Sequence, residues 1–498
     1  MITQHPKTRL GIIGGLGALA GVDVYFKLVR SLAREGISED YELFFEQHPF
    51  DGNENSGGEK PNLNARKLYI FDMIRQFEKH AVESVLVPCF ISHTFIRELQ
   101  TEVTTPIVSI MDALRFHLKE QFTDACHIGV LASDYVKSKK LFENTFSGSD
   151  ITLSYPDDAI QTDCVMHAIY GDQGIKAGNL RGAAVDLLHQ ACMHLLDRGA
   201  DVIVSGATDI AIVADLLRSR GIPIVDTNQV YVDYALRNRE KPLPRSFKIG
   251  VVGGVGPAAT VDFMNKIIHN TSASRDQDHI KIIVEHNPKI PDRTANLIGD
   301  GEDPTIALYA ACKRLEDNDA ALIAIPCNTA HAYVKRIQAH LAIPIVNMLD
   351  ETVAYIRQQF AAGTKVGLLA TSGTIASRVY HEAAEGQVFE LLVPDDDHQA
   401  RVMHAIYGEE GIKAGYTDGT CRDDLMAALL HLVQRGATVI VLGCTELPLL
   451  LKQDLAFPVA GSHIALLDPT TILARSCVAR SDISSQQHGP VMLVSTVH

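Results

Sequence analysis

Residues 10–20, LGIIGGLGALA, and residues 248–259, KIGVVGGVGPAA, are one stretch written twice. Each is an apolar run breaking into closely spaced glycines, the pattern of a buried strand entering a tight loop. Lys7 and Arg9 ahead of the first run imitate a secretion signal, but the second copy lies mid-chain where no signal sits, so both read as core strands. Other landmarks repeat with a period near 238 residues, the separation of Cys89 from Cys327. Gly14, Gly15 and Gly17 answer to Gly253, Gly254 and Gly256, and His48-Pro49 to Asn287-Pro288. VMHAIYG at 165–171 recurs letter for letter at 402–408, and GIKAG at 174–178 recurs at 411–415. The chain is a tandem duplication. Between the copies, residues 237–245 (RNREKPLPR) read as a polar surface linker.

Within each copy, short β-branched runs alternate with amphipathic stretches, which predicts parallel sheets covered by helices. In the second copy strands are expected at 248–252, 280–285, 321–325, 343–347, 366–369, 390–393 and 439–442. They form two series, one ending near Ile345 and one starting near Lys365, and so two lobes with a cleft between. The expectation is an α/β fold in two domains, 1–240 and 246–480, with a tail at 481–498. A net charge of −15 offers no basic surface to nucleic acid or an anionic membrane, and no apolar run reaches the ~20 residues of a membrane helix. An acidic substrate therefore needs cations inside a pocket. Nine dispersed cysteines, with no CxxC or Cys/His spacing, read as free thiols of a cytoplasmic protein without a metal site.

In an open α/β sheet the ligand lies at the carboxyl ends of the strands. Two such positions hold cysteine: residues 321–325 run into Pro-Cys327-Asn328-Thr329-Ala-His331, and residues 439–442 into Gly-Cys444-Thr445-Glu446. A thiol between strand and helix is expected to feel the helix dipole and to ionise near neutral pH. A lone cysteine is more often a small buried hydrophobe. Two in matched contexts, one from each lobe, suit removal of a proton from one face of a carbon and delivery to the other.

These two motifs, with Gly253-Gly-Val-Gly-Pro257 and Pro291-Asp-Arg-Thr294, resemble those of the aspartate/glutamate racemase superfamily across nearly the whole second copy. The resemblance implies two pseudo-symmetric Rossmann-like lobes per copy, each with a central parallel sheet, and racemisation of an acidic amino acid without pyridoxal phosphate, metal or other cofactor. It makes Cys327 and Cys444 the catalytic pair and Arg293 and Lys413 the cations for substrate carboxylates. Asn328, Thr329 and Thr445 then bind the α-amino and α-carboxylate groups. Arg293 suits its role, since a guanidinium grips a carboxylate through two hydrogen bonds. The family is commonly dimeric, so the tandem chain is expected to be an intramolecular pseudo-dimer, with further homo-oligomerisation open.

In the first copy Ala207 stands for Cys444, Phe90 and Ile91 for Asn328 and Thr329, and Glu54 for Arg293, while Cys89, His93 and Lys176 remain. That copy is expected to be a non-catalytic partner. Rival readings are a binding or regulatory protein without turnover, and another reaction of the superfamily: cis-trans isomerisation, hydantoin racemisation or decarboxylation. A dinucleotide enzyme reading the G-x-G-x-x-A pattern is weaker, because Glu285 lies about 30 residues on rather than the usual ~20. Aspartate, glutamate and a broader substrate range stay open.

Overall fold

The computed structural model describes residues 7–48, 50, 61–122, 126–238 and 246–488, with side chains through 482. Two compact units divide the chain, Met1–Pro244 and Arg245–His498. Residues 239–245 of the expected linker and 489–498 of the expected tail lie outside the described part, as does Glu54. Residues 481–488, expected as tail, instead complete the helix Pro469–His488.

Each unit is two α/β lobes, built on central strands whose β-branched residues are buried from both faces, with half-buried strands at the edges. In the first unit, β1 (Thr8–Ile13) lies between β2 (Tyr41–Glu46) and β3 (Ser84–Leu86). The other lobe orders β4 (Cys126–Ala132), β5 (Ile151–Ser154), β6 (Val202–Gly206) and β7 (Ile224–Val225) as β5-β4-β6-β7. The second unit repeats this with β8 (Lys248–Gly253), β9 (Lys281–His286), β10 (Leu322–Ala324) and β11 (Ile345–Val346) in the order β11-β10-β8-β9. Its other lobe holds β12 (Lys365–Ala370), β13 (Glu390–Leu392), β14 (Val439–Gly443), β15 (Asp454–Val459) and β16 (Ser462–Leu467), ordered β13-β12-β14-β16-β15. All pairings are parallel except β15 with β16.

That antiparallel hairpin corrects the sequence alignment. Matching Pro458 to Pro223 leaves the aspartate after the strand displaced. In the structure β16, not β15, takes the place of β7, with Leu467 beside Val441 as Val225 is beside Val204. Asp468 therefore stands where Asp226 stands, and β15 is an added edge strand turning at Ala460-Gly461, both with positive φ.

The last helix of each unit follows the second lobe but returns to cover the first. In the second unit Leu473, Ala474 and Cys477 pack with Ile249, Val251 and Phe263 in one core. A lysine held between two aspartates joins the lobes at this return. Lys266 sits between Asp262 on its own helix and Asp468, the latter at 2.5 Å, and Lys27 likewise bridges Asp23 at 2.6 Å and Asp226 at 2.8 Å. Ion pairs this buried are worth keeping only when complete, because a stranded charge is costly.

The repeat is not uniform. Gln161 and Gln399 make the same bond to Ala132 O and Ala370 O, yet VMHAIYG starts one residue later, relative to these glutamines, in the first unit. A π-helical turn at Gln161–Met166 absorbs the extra residue.

His93 and His331 follow Cys89 and Cys327 by four residues and are structural. His331 Nδ1 lies 2.9 Å from Cys327 O while Met348 N donates to Nε2 at 3.1 Å, which makes Nδ1 the protonated nitrogen. Burial drives both imidazoles down from 6.5 to about 4. The unfolded chain therefore takes up these protons first as pH falls. The contribution of the neutral histidines is complete above pH 6.5 and is lost through the window down to about 4. A His93→Gln chain should show a shallower fall of melting temperature across that window than the wild type. Lys266→Met, which strands Asp468 at 2 % side-chain exposure, should cost about 3 kcal/mol or more in denaturant unfolding of the second unit.

Candidate active site

In the second unit a recess of about 280 Å³ opens between the lobes at the carboxyl ends of β10 and β14. All seven residues singled out from the sequence, Arg293, Cys327, Asn328, Thr329, Lys413, Cys444 and Thr445, line it, together with Val255, Thr294, Thr371, Tyr407 and Glu446. Their side chains do not play equal parts. Thr329 Oγ1 lies 2.8 Å from Thr374 Oγ1 and 3.1 Å from Thr371 Oγ1, and Thr294 Oγ1 donates to Thr371 Oγ1 at 3.2 Å, so hydroxyls stitch the lobes together here. Tyr380 OH adds a bond of 2.6 Å to Asn328 Oδ1. Asn328 Nδ2 and Arg293 Nε, both buried, have no hydrogen-bond partner among the described residues.

The two thiols sit in different fields. Arg293, 7 % exposed, lines the recess beside Cys327 and donates from Nη1 to Pro291 O at 3.1 Å. Burial works against its charge, but the cysteine and Asp292 beside it hold the guanidinium above its ordinary value. Cys444 instead donates from Sγ to Glu446 Oε2 at 2.9 Å. Burial first, then the Glu446 carboxylate, push this thiol well up, against a lowering by Lys413. Lys413 Nζ is 3.5 Å from Glu446 Oε1 and 4.8 Å from the centre of the Tyr407 ring. Burial is the largest single effect and disfavours the ammonium, but Glu446, Tyr407 and the two cysteines together outweigh it and hold Lys413 above its ordinary value.

The expected lowering of both thiols by helix dipoles does not hold for Cys444. No α-helix starts there; a turn leads into a single 3₁₀ turn, Leu447–Leu449. Cys327 is likewise followed by a turn, the helix starting only at His331. Glu446 is the residue that motif spacing missed. It lay inside the quoted motif, but only the fold shows that it touches both Cys444 and Lys413.

The glycine loop serves this geometry. Gly256, at φ +110°, leaves the space in which a Cβ would come 2.6 Å from Glu446 Oε1. Gly254, at φ +85°, is pressed against the backbone of Asn287 and Pro288. The room left by these glycines is filled by the chain itself, which accounts for the G-x-G pattern without a dinucleotide.

The first unit has a related recess of about 330 Å³, lined by Cys89, Tyr170, Lys176, Thr208 and Asp209, with Leu16, Phe90, Ile91, Val136 and Ala207. Polar bridges have become apolar ones: where Asn328 meets Tyr380, Phe90 stacks on Phe142 with ring centres 5.6 Å apart. Such a pair is worth about 1 kcal/mol beyond its burial. The charge offered to Cys89 is not simply reversed. Arg66, on the helix Leu63–Lys79, donates to Cys89 Sγ at 3.1 Å, replacing Arg293 from another element. Its aligned position in the second unit is Pro304, so no comparison of motifs could reveal it.

The family model for Asp/Glu/hydantoin racemase matches residues 13–235 and again 252–477. A broad specificity amino-acid racemase of Bacillus subtilis, RacX, is 28% identical over 239 residues, 46% of this chain and 96% of the relative. A glutamate racemase of Herpetosiphon aurantiacus is 33% identical over 181 residues, 35% of this chain and 66% of the relative. Among solved structures, the Picrophilus torridus aspartate racemase aligns with a TM-score of 0.41 at 25% identity, over 47% of this chain and 94% of its own. Among the described residues no helix is long and apolar enough to cross a membrane. With both copies matched and nearly the whole chain covered, this protein belongs to the Asp/Glu/hydantoin racemase family.

Proposed function

We propose that the second unit racemises an acidic amino acid, aspartate first and glutamate second, by a two-thiol mechanism without a cofactor, and that the first unit does not turn over. The observation that carries this reading is that Cys327 and Cys444, one from each lobe, line one recess with Arg293 beside the first and Glu446 with Lys413 beside the second.

The asymmetry gives each thiol a starting role. Burial and a carboxylate accepting from Cys444 keep the proton on that sulfur, which makes Cys444 the starting acid and leaves Cys327, beside Arg293, as the starting base. Cys327 then takes the α-proton while Cys444 gives its proton to the opposite face of the same carbon, leaving the protonation states exchanged. Arg293 Nε and Asn328 Nδ2 are donors positioned for the carboxylate on which charge builds as the proton leaves. Lys413 supplies the second cation that a dicarboxylate needs, which favours aspartate or glutamate over monocarboxylic amino acids. Thr445 contributes to the α-amino and α-carboxylate contacts, and Thr329 acts by holding the lobes together. The Bacillus relative, named a broad specificity racemase, makes a wider substrate panel part of the test. The first unit, with Ala207 in place of the second thiol and Phe90 in place of Asn328, has one thiol in a recess that keeps Lys176 and Asp209 but is part apolar.

Chiral chromatography of L- and D-aspartate, L- and D-glutamate and a set of apolar amino acids, incubated with the full chain, measures this directly. Either Cys327→Ala or Cys444→Ala should lower racemisation of the acidic substrates by roughly 10²–10⁴-fold, while Cys89→Ala leaves it unchanged. Activity that survives either substitution in the second unit, or that follows Cys89, overturns the assignment. Glu446→Gln should release Cys444 from its repelling carboxylate. Peptide-resolved alkylation by iodoacetamide near pH 7 should then speed up at Cys444, by roughly tenfold for each unit its pKa falls.

A further inference from the structure

A second cluster of ligand-type side chains lies in the same unit, apart from the recess. Asp395 caps the helix Asp396–Tyr407, His398 lies in its first turn and His431 near the end of the helix Thr420–Gln434. His398 Nδ1 is 2.6 Å from Asp395 Oδ1, His431 Nε2 is 3.5 Å from Asp395 Oδ2, and the two imidazoles stack with centres 4.0 Å apart at 15°. One ligand atom from each residue falls within 4.8 Å of the others. His431 Nε2 is buried and makes no hydrogen bond among the described residues.

The tandem repeat supplies an internal comparison. Asp395, His431 and Arg435 align with Asp157, His194 and Arg198, whereas His398 aligns with Ile160. In the first unit the place is taken by a built-in cation: Arg198 Nη1 donates to Asp157 Oδ1 and lies 3.4 Å from His194 Nε2. In the second unit Arg435 turns away and donates to Val393 O at 2.6 Å, and a second imidazole has been added. One copy thus closes the carboxylate and histidine with a guanidinium, and the other withdraws the guanidinium and gains a further nitrogen ligand.

We infer that Asp395, His398 and His431 form a site for a divalent transition-metal ion of the zinc or cobalt type. Two neutral imidazoles and one carboxylate suit such an ion, with water in a fourth position, whereas magnesium and calcium prefer all-oxygen sets. Bonds of about 2.1 Å in a tetrahedron place ligand atoms roughly 3.4 Å apart, so the rings must tilt out of their stack about soft terminal torsions. His398, with its side chain 31% exposed, has room to do so. Bound metal ties the start of one helix to the end of the next. Spacing analysis had no access to this set, because His398 and His431 belong to different helices and no cysteine takes part.

Cobalt(II) titrated into the reduced full chain tests the site by visible absorption, a readout independent of racemase turnover. One equivalent should bind with d–d bands, and binding at this site should show no thiolate charge-transfer absorption. His398→Ile, the residue the first unit carries there, should weaken that binding at least about tenfold, and so should His431→Gln. Melting temperatures without metal identify any variant that merely unfolds, and either substitution alone suffices for the comparison. Absence of nitrogen- and oxygen-type cobalt absorption, binding only through thiolates, or equal affinity in His398→Ile overturns the inference.

Discussion

A lysine held between two aspartates, the one after the final strand buried, is the constraint on which each unit's architecture rests. Lys266 belongs to the helix after the first strand of one lobe, and Asp468 ends the final strand of the other. Their contact brings the last helix back across the first lobe, so the lobes are joined through charge at the rear and through threonine hydroxyls at the cleft. A cleft assembled in this way presents the ends of β10 and β14 to one another, and those ends carry the two thiols. The same lysine and aspartates recur around Lys27, although the first unit's recess has exchanged the second thiol and the Asn328 and Thr329 positions for apolar side chains. Architecture has outlasted the chemistry of the site.

The divergence of the two recesses is coordinated. Asn328 and Tyr380 bond across the second unit's cleft, and both partners are aromatic hydrocarbons at Phe90 and Phe142 in the first. Changing one alone would bury an unsatisfied polar group, so the exchange makes physical sense only as a pair. Thr329 and Thr374 likewise face Ile91 and Val136 at the aligned positions, both lining the first recess. Arg66 completes the picture by contacting Cys89 from a different helix.

Much of this was legible in the sequence because it is local. The duplication, the strand-to-loop cysteines and the glycine loop are short-range patterns, and all seven chosen residues proved to lie in one recess. What escaped was set by distance along the chain or by a shift in register. The β15–β16 hairpin displaced Asp468 by its added strand, and one residue hidden in a π-turn altered the repeat between Gln161 and Val165. Arg66 and the grip of Glu446 on Cys444 depend on contacts that no spacing encodes. The helix-dipole argument failed at Cys444 for a local reason, since the residues after it form only a 3₁₀ turn.

Two proton carriers on opposite faces of one carbon leave a signature in the first moments of reaction, when L-aspartate is supplied in deuterated water and both enantiomer pools are followed at Cα. The account predicts that newly formed D-aspartate carries deuterium while the remaining L-aspartate keeps its original proton. Deuterium entering unreacted L-aspartate as fast as product appears, or product retaining the substrate's own proton, would show a single base serving both faces and contradict it.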